Sequence, residues 1–347
     1  MLVDHVRGFD GIRALCMVMV LYTHLGLYDA LPDVPWLRER GWHLFGGWVA
    51  VRVFFVISGF LITRMLLQER ARTGTISIRR FYIRRALRLL PAFVIHMVIL
   101  ALWRALGICD TSTAAMLVSF FYLYNYMPTI WYDGLLGHTW TLAVEEQFYI
   151  LWPLLLRGLS RLRLDLLLAA VFVACALVEL FVPDARIPGS QSVLFRNLFH
   201  VPRWFLPAAA PIVVGVLACL HYVRAQRIMR PGRRGALVLF FFCAPLWMPV
   251  FCFPLAYPLQ SIGIGLALVW LLQKQEGGAA RFLEWAPLAY MGRITYGIYL
   301  YHLLFIAVDH PAPIFHLPFN LLAIFALAIV SYELVERPVL RLKERFR

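Results

Sequence analysis

Carboxylates are scarce in this chain. Its 347 residues include 19 Asp and Glu against 33 Lys and Arg, for a formal net charge of +14. No polar stretch runs longer than about 25 residues, so nothing supplies the surface of a separate soluble domain. The six cysteines (Cys16, Cys109, Cys175, Cys219, Cys243 and Cys252) are scattered through apolar segments without a C-x-x-C spacing. That indicates neither a zinc site nor a disulfide framework and leaves them as small core residues. No H-E-x-x-H or G-x-S-x-G pattern appears. Internal repeats and low-complexity tracts are absent too. No cleavable leader is expected either: the first apolar segment starts close to Met1, is long, and carries Arg13 and His24, which reads as a retained helix.

Apolar residues are what the chain has in excess. They make up 62% of it, with a mean hydropathy of +0.74. Runs of about 17–25 apolar residues recur, each long enough to cross a bilayer as a helix. They fall near 12–30, 47–67, 89–106, 141–157, 166–182, 206–222, 236–252, 256–273, 289–308 and 318–335. The apolar stretch 114–127 is shorter and aromatic-rich, which suits a re-entrant or interfacial piece.

The basic residues test this reading. With a cytoplasmic N-terminus and a non-crossing 114–127 stretch, 26 of the 33 lie on the cytoplasmic side. The outer side keeps Arg38, Arg40, Arg52, Arg104, Arg186, Arg196 and Arg203. Letting 114–127 cross would put the Arg157 and Arg224 clusters outside, against the positive-inside rule. The expectation is an all-α polytopic membrane bundle of about ten helices, both termini cytoplasmic, forming one integral-membrane domain over 1–347. Basicity that would suggest nucleic acid in a soluble protein is here a membrane signature, so no nucleic-acid partner is expected.

Five constellations carry chemistry. Arg13 and His24 are eleven residues apart. On a helix that is three turns plus about 20°, which puts them on one face about 16 Å apart. Two ionisable groups on one face of a membrane helix are costly unless that face lines a polar cavity. The bland readings are a snorkelling anchor for Arg13 and an interhelical hydrogen bond for His24. The functional ones are a carboxylate or phosphate partner for the arginine and proton acceptance by the imidazole.

The second is Arg79-Arg80-Phe-Tyr-Ile-Arg84-Arg85-Ala-Leu-Arg88. Arg80, Arg84 and Arg88 recur every four residues, predicting a stripe at the membrane surface. It serves either as a cytoplasmic anchor or, with Arg85, as a clamp for a polyphosphate ligand. The third is His138-Thr-Trp-Thr141 with Glu145-Glu146-Gln147-Phe148-Tyr149. His138, Thr141 and Glu145 share a helical face, and Glu146 is rotated by about 100°. Two adjacent carboxylates entering a span need partners, for which Arg13 or Arg52 are candidates. In the fourth, Thr295, Tyr299 and His302 make a polar face in an apolar helix, which also suits an interfacial belt. In the fifth, Ser58-Gly59 within Phe54–Ile62 permits close helix approach.

Taken in order, these pieces resemble the membrane-bound acyltransferase 3 family over essentially the whole length. The matching pieces are Gly11-Ile-Arg13 with His24, Phe54–Ile62, Phe81-Tyr-Ile-Arg84-Arg85 with Arg88–Pro91, His138–Tyr149, Tyr296–His302 and Glu336-Arg-Pro338. Thr141 departs from the serine more usual in the motif but keeps the hydroxyl.

The resemblance implies an enzyme that moves an acyl group, usually acetyl, from acyl-CoA to a hydroxyl of a surface polysaccharide or secondary metabolite. Arg13 and His24 would be the essential pair and Glu145 the supporting carboxylate. Glu146, His138, Thr141, Tyr299 and His302 would be accessory, and Arg80, Arg84, Arg85 and Arg88 would bind acyl-CoA. No metal and no tightly bound cofactor is implied. The expected partners are the bilayer, acyl-CoA, a carbohydrate acceptor and polysaccharide-assembly proteins, in the cytoplasmic (inner) membrane. Some relatives carry a soluble esterase-like C-terminal domain, which this chain is not expected to have. Direct transfer through a histidine base and a covalent acyl-histidine both remain open. The rival classes are a glycan transporter or flippase and a non-catalytic scaffold.

Overall fold

The computed structural model describes residues 6–27, 41–181, 201–229, 234–248 and 253–342. Among them the chain is helical, with no strand. The principal helices are α1 (Phe9–His24), α2 (Gly47–Thr73), α3 (Ile78–Ala105), α4 (Thr113–Phe120), α5 (Thr139–Gly158), α6 (Arg161–Phe181), α7 (Ala210–Leu220) and α8 (Tyr222–Ile228). They continue as α9 (Arg234–Phe242), α10 (Phe253–Gln273), α11 (Gly278–Leu283), α12 (Ala286–Ile306), α13 (Phe319–Ser331) and α14 (Arg337–Leu342). Among the described residues, four helical segments are long and apolar enough to cross a membrane: His43–Thr73, Ile78–Ala105, Leu255–Gln273 and Phe319–Leu342.

Several expected spans are altered for identifiable reasons. The 236–252 run breaks after Phe242, and a short turn, Ala244–Trp247, follows. Pro245 has no N–H to continue the ladder and its ring clashes with the preceding turn. The 206–222 run forms only the 11-residue α7, after a separate turn at Phe205–Ala208. α13 runs into a π-helical turn, Tyr332–Glu336, and then α14. The 114–127 stretch holds the eight-residue α4, about 12 Å long and too short to span. Arg38, Arg40, Arg186, Arg196, Cys252 and the ends of the expected 12–30, 166–182 and 236–252 spans lie outside the described residues.

The chain divides into two compact units. The first comprises Met1–Ile76, Leu151–Asn197 and Val201–Gly292. Its core gathers Phe9, Val56, Ile57, Phe60, Ile264, Leu268 and Leu283. The crossing of α2 and α7 explains Ser58-Gly59. A Cβ on Gly59 would stand 2.2 Å from the Ile212 carbonyl oxygen, and one on Gly215 2.0 Å from that of Val56. Each glycine therefore admits the other helix's backbone, a small-residue contact of the kind that holds membrane helices together. The same device seats α1: Cβ atoms on Gly11 and Gly292 would meet the carbonyl oxygens of Leu283 and Asp10 at 2.2 and 1.9 Å.

The second unit comprises Ser77–Ile150, Leu198–His200 and Arg293–Arg347. Phe81, Phe93, Leu100, Tyr301, Leu304, Ile324 and Ala328 are fully buried. Trp103 sets its indole edge-on to Phe305 and Phe315 at 5.4 and 5.3 Å, joining α3 to α12 and the turn before α13.

Candidate active site

In the first unit, α1 is unbroken from Phe9 to His24, so the spacing of Arg13 and His24 holds: one face, about 16 Å along the axis. Arg13 Nη1 donates to Asp10 Oδ1 at 3.0 Å, with both side chains 23% exposed. His24 lies exposed in the last turn, and its Nδ1 stands 3.0 Å from the Val20 carbonyl oxygen. A carbonyl can only accept, so this bond puts the proton on Nδ1 and, in the neutral ring, the lone pair on Nε2. Thr23 holds the helix end in place. Its hydroxyl donates to Met19 O at 2.9 Å and accepts from Gly47 N at 2.8 Å, tying the end of α1 to the start of α2.

One carboxylate on Arg13 is Asp10, one helical turn away on the same helix. Arg52 donates to Gln260 Oε1 at 2.8 Å and lies 4.0 Å above the Tyr257 ring. Gln260 is fully buried. Its amide donates to the carbonyl oxygens of His43 and Phe242 at 2.8 and 3.2 Å, which makes this a satisfied structural clamp.

In the second unit, the first turns of α3 carry the arginines. Their four-residue spacing is as expected, but they do not form one surface stripe. Arg79 and Arg80 are exposed, Arg85 and Arg88 half-buried, and Arg84 is buried at 8% exposure. The side of this helix that packs into the unit takes Arg84 with Phe81, so only the outward positions stay at the surface. Arg85 lies 4.9 Å over the Tyr149 ring and interacts electrostatically with Glu146 and Glu145. Those half-buried carboxylates thus have an arginine near them within their own unit.

His138 stands immediately before α5, with Thr141 one turn in. Thr141 Oγ1 lies 2.7 Å from the Tyr299 hydroxyl and donates to the His138 carbonyl at 3.0 Å. Tyr299 donates to the same carbonyl at 3.1 Å, and His302 Nδ1 stands 2.6 Å from the Tyr299 carbonyl. The predicted polar faces of α5 and α12 thus meet. The His138 ring packs edge-on to those of Tyr299 and His302 at 5.4 and 5.1 Å. Thr141 and Tyr299 are buried, and each hydroxyl has one proton to give to the His138 carbonyl or to the other hydroxyl, so losing one removes a buried hydrogen bond and one acceptor from the triangle. Tyr299→Phe is expected to cost about 1–2 kcal/mol, read as a lower thermal-inactivation midpoint. Thr141→Val in the same background should add less than it costs alone. Full additivity would mean that the two hydroxyls do not interact.

Four further residues of these clusters are not among the expected site residues: His96, Gln147, Glu336 and Asp10. His96 is fully buried, its ring 5.5 Å from His138 and 6.4 Å from Tyr301, and among the described residues neither ring nitrogen has a hydrogen-bond partner. A lone histidine in an apolar run says nothing about its neighbours. Gln147 donates to the Tyr122 carbonyl and to Asn125 Oδ1, both at 3.0 Å, and accepts from Asn125 Nδ2 at 3.2 Å. It supports a turn in which Tyr122 takes φ 55. Glu336 accepts from Ser331 Oγ at 3.0 Å, and that hydroxyl lies 2.8 Å from Tyr301 OH. Gln147 and Glu336 stand in motif pieces without an assigned role, and Asp10 could have been found from its i, i+3 spacing to Arg13, a known acid–base pair on a helix. Among the described residues no three of His, Cys, Asp and Glu stand together as a metal site.

A family model described as an acyltransferase domain matches residues 6–332. A Bacillus subtilis (strain 168) protein provisionally named a peptidoglycan O-acetyltransferase is 27% identical over 370 residues, covering 96% of this chain and 55% of that protein. The peptidoglycan O-acetyltransferase of Listeria monocytogenes serovar 1/2a is 25% identical over 368 residues, covering 96% and 56%. A Staphylococcus aureus (strain COL) protein provisionally named an O-acetyltransferase is 26% identical over 381 residues, covering 96% and 57%. The chain spans little more than half the length of these relatives. No solved structure gives a significant match.

Proposed function

The chain belongs to the acyltransferase 3 family, and from that premise we propose that it is an integral-membrane O-acyltransferase. It moves acetyl from acetyl-CoA to a hydroxyl of a cell-surface polysaccharide. Peptidoglycan is the favoured acceptor because two relatives carry that substrate in their names. The proposal includes a ten-span topology in the cytoplasmic membrane with both termini inside, on the strength of the positive-inside count.

His24 carries the reading. The bond from Nδ1 to Val20 leaves Nε2 as the basic nitrogen, on an exposed ring at a helix end. In the proposed step Nε2 takes the proton of the acceptor hydroxyl, and the oxygen attacks the thioester carbonyl. The C–S bond breaks, and the imidazolium returns its proton to the departing thiolate. The products are the ester and free CoA. Val20 already engages Nδ1, so the imidazole has a helix-borne orienting bond. Glu145 is proposed as the supporting carboxylate of the family motif and Arg13, held by Asp10, as a fixed positive charge near the first turn of α1.

The exposed arginines of α3 are proposed to receive the CoA phosphates. Arg80→Gln combined with Arg79→Gln is expected to raise the KM for acetyl-CoA by about tenfold and leave that for the acceptor unchanged, since arginine forks match phosphate oxygens. An acceptor-side effect alone would remove this assignment. For the activity itself, purified protein should release free thiol from acetyl-CoA when acceptor is added. Glycan movement across vesicles without thiol release would instead mark a transporter.

A further inference from the structure

A groove opens between the far end of α3 and α4, lined by Met97, Ala101, Arg104, Thr113, Leu117 and Phe120, with a volume of about 630 Å³. Its place along α3 is informative. Arg88 and Arg104 are 16 residues apart, about 24 Å on a helix, close to the hydrocarbon thickness of a bilayer. Between them the only ionisable residue is His96, which is fully buried. With the Arg79–Arg88 cluster at one headgroup layer, Arg104 therefore stands at the other, and Met97 lies about 10 Å deeper in the hydrocarbon.

The groove arises from side-chain size. Met97, Ala101, Arg104 and Ala105 share one face of α3, and the two alanines leave a slot that α4 does not fill. Met97 and Met116 are adaptable walls, while Leu117 and Phe120 are 54% and 42% exposed, which suits a wall open to lipid. At the mouth, Arg104 donates through Nη1 to the Thr113 hydroxyl. Among the described residues no carboxylate pairs with it, so its charge is not neutralised by the protein there and the remaining N–H donors are available.

We propose that this groove is a phospholipid site: one unbranched acyl chain lies over Ala101 and Ala105, and the headgroup phosphate sits on Arg104. A single guanidinium matches the single charge of a phosphodiester, which favours a bilayer phospholipid such as phosphatidylglycerol over a polyprenyl diphosphate.

Native mass spectrometry of the full chain with added phosphatidylglycerol tests it. The wild type should retain one lipid. Arg104→Gln, which removes the charge, and Ala101→Phe, which fills the slot with the charge intact, should each lower occupancy by about tenfold. Arg104→Lys should keep most of it. Leu117→Trp, at an exposed wall, serves where another variant fails to fold. Wild-type retention by Ala101→Phe or Leu117→Trp would overturn the chain slot. Displacement of the lipid by equimolar inorganic phosphate would make the site a free-anion site, and displacement by polyprenyl phosphate would reassign the occupant. Either result overturns the proposal.

Discussion

Replacing His24 by alanine is expected to abolish acyl transfer while the protein still inserts at normal levels. General base catalysis contributes about 10²–10⁴-fold, so thiol release in the presence of acceptor should fall by at least about a hundredfold. The reason is local to α1. The Val20 carbonyl fixes the proton on Nδ1, and alanine removes the one nitrogen whose lone pair that bond has set. His24→Gln should be equally inactive, because an amide can bond to a hydroxyl but cannot take its proton. A His24→Ala protein that acetylates at near-normal rates would end the assignment. Incubation with radiolabelled acetyl-CoA and no acceptor separates the two chemical routes, since only a covalent acyl-histidine leaves label on the wild-type protein and none on the variant.

The second large effect is structural. Gly59→Ala and Gly215→Ala should each destabilise the first unit by about 3 kcal/mol or more, beyond the usual cost of overpacking, because the obstructing atom in each case is backbone. Neither helix can rotate a carbonyl oxygen away as it could a side chain. The double variant should cost little more than one single, since the separation of α2 and α7 forced by the first methyl also clears room for the second. Thermal inactivation and detergent-resistant folding measure both. A neutral Gly59→Ala would mean that the helices do not cross this closely, and a fully additive double would mean that the two contacts are independent.

These two cases differ in how much the sequence had already disclosed. Arg13 and His24 were readable because an α-helix has a fixed period, so two residues on one unbroken helix have a known separation and angle. The same regularity made legible the shared face of His138 and Thr141, that of Tyr299 and His302, and the shortness of α4. The family followed from motifs in order. Ser58-Gly59 announced a close approach but could not name Gly215 as its counterpart.

Tertiary structure decided the rest, for one reason: spacing along a chain says nothing about which faces of distant helices meet. It buried Arg84 within a stripe that looked uniform, because one side of α3 packs into its unit. It gave Glu145 and Glu146 the company of Arg85, and Arg52 that of Gln260. It brought His96 against His138, and Thr141 against Tyr299 across 158 residues of chain. The sequence by itself determined a helical membrane protein of the acyltransferase family and the polar residues that such a protein would hardly keep without use. Only the packing of its helices determined which of those residues face one another, since burying a charge or an imidazole is tolerable only where another element supplies its neighbours.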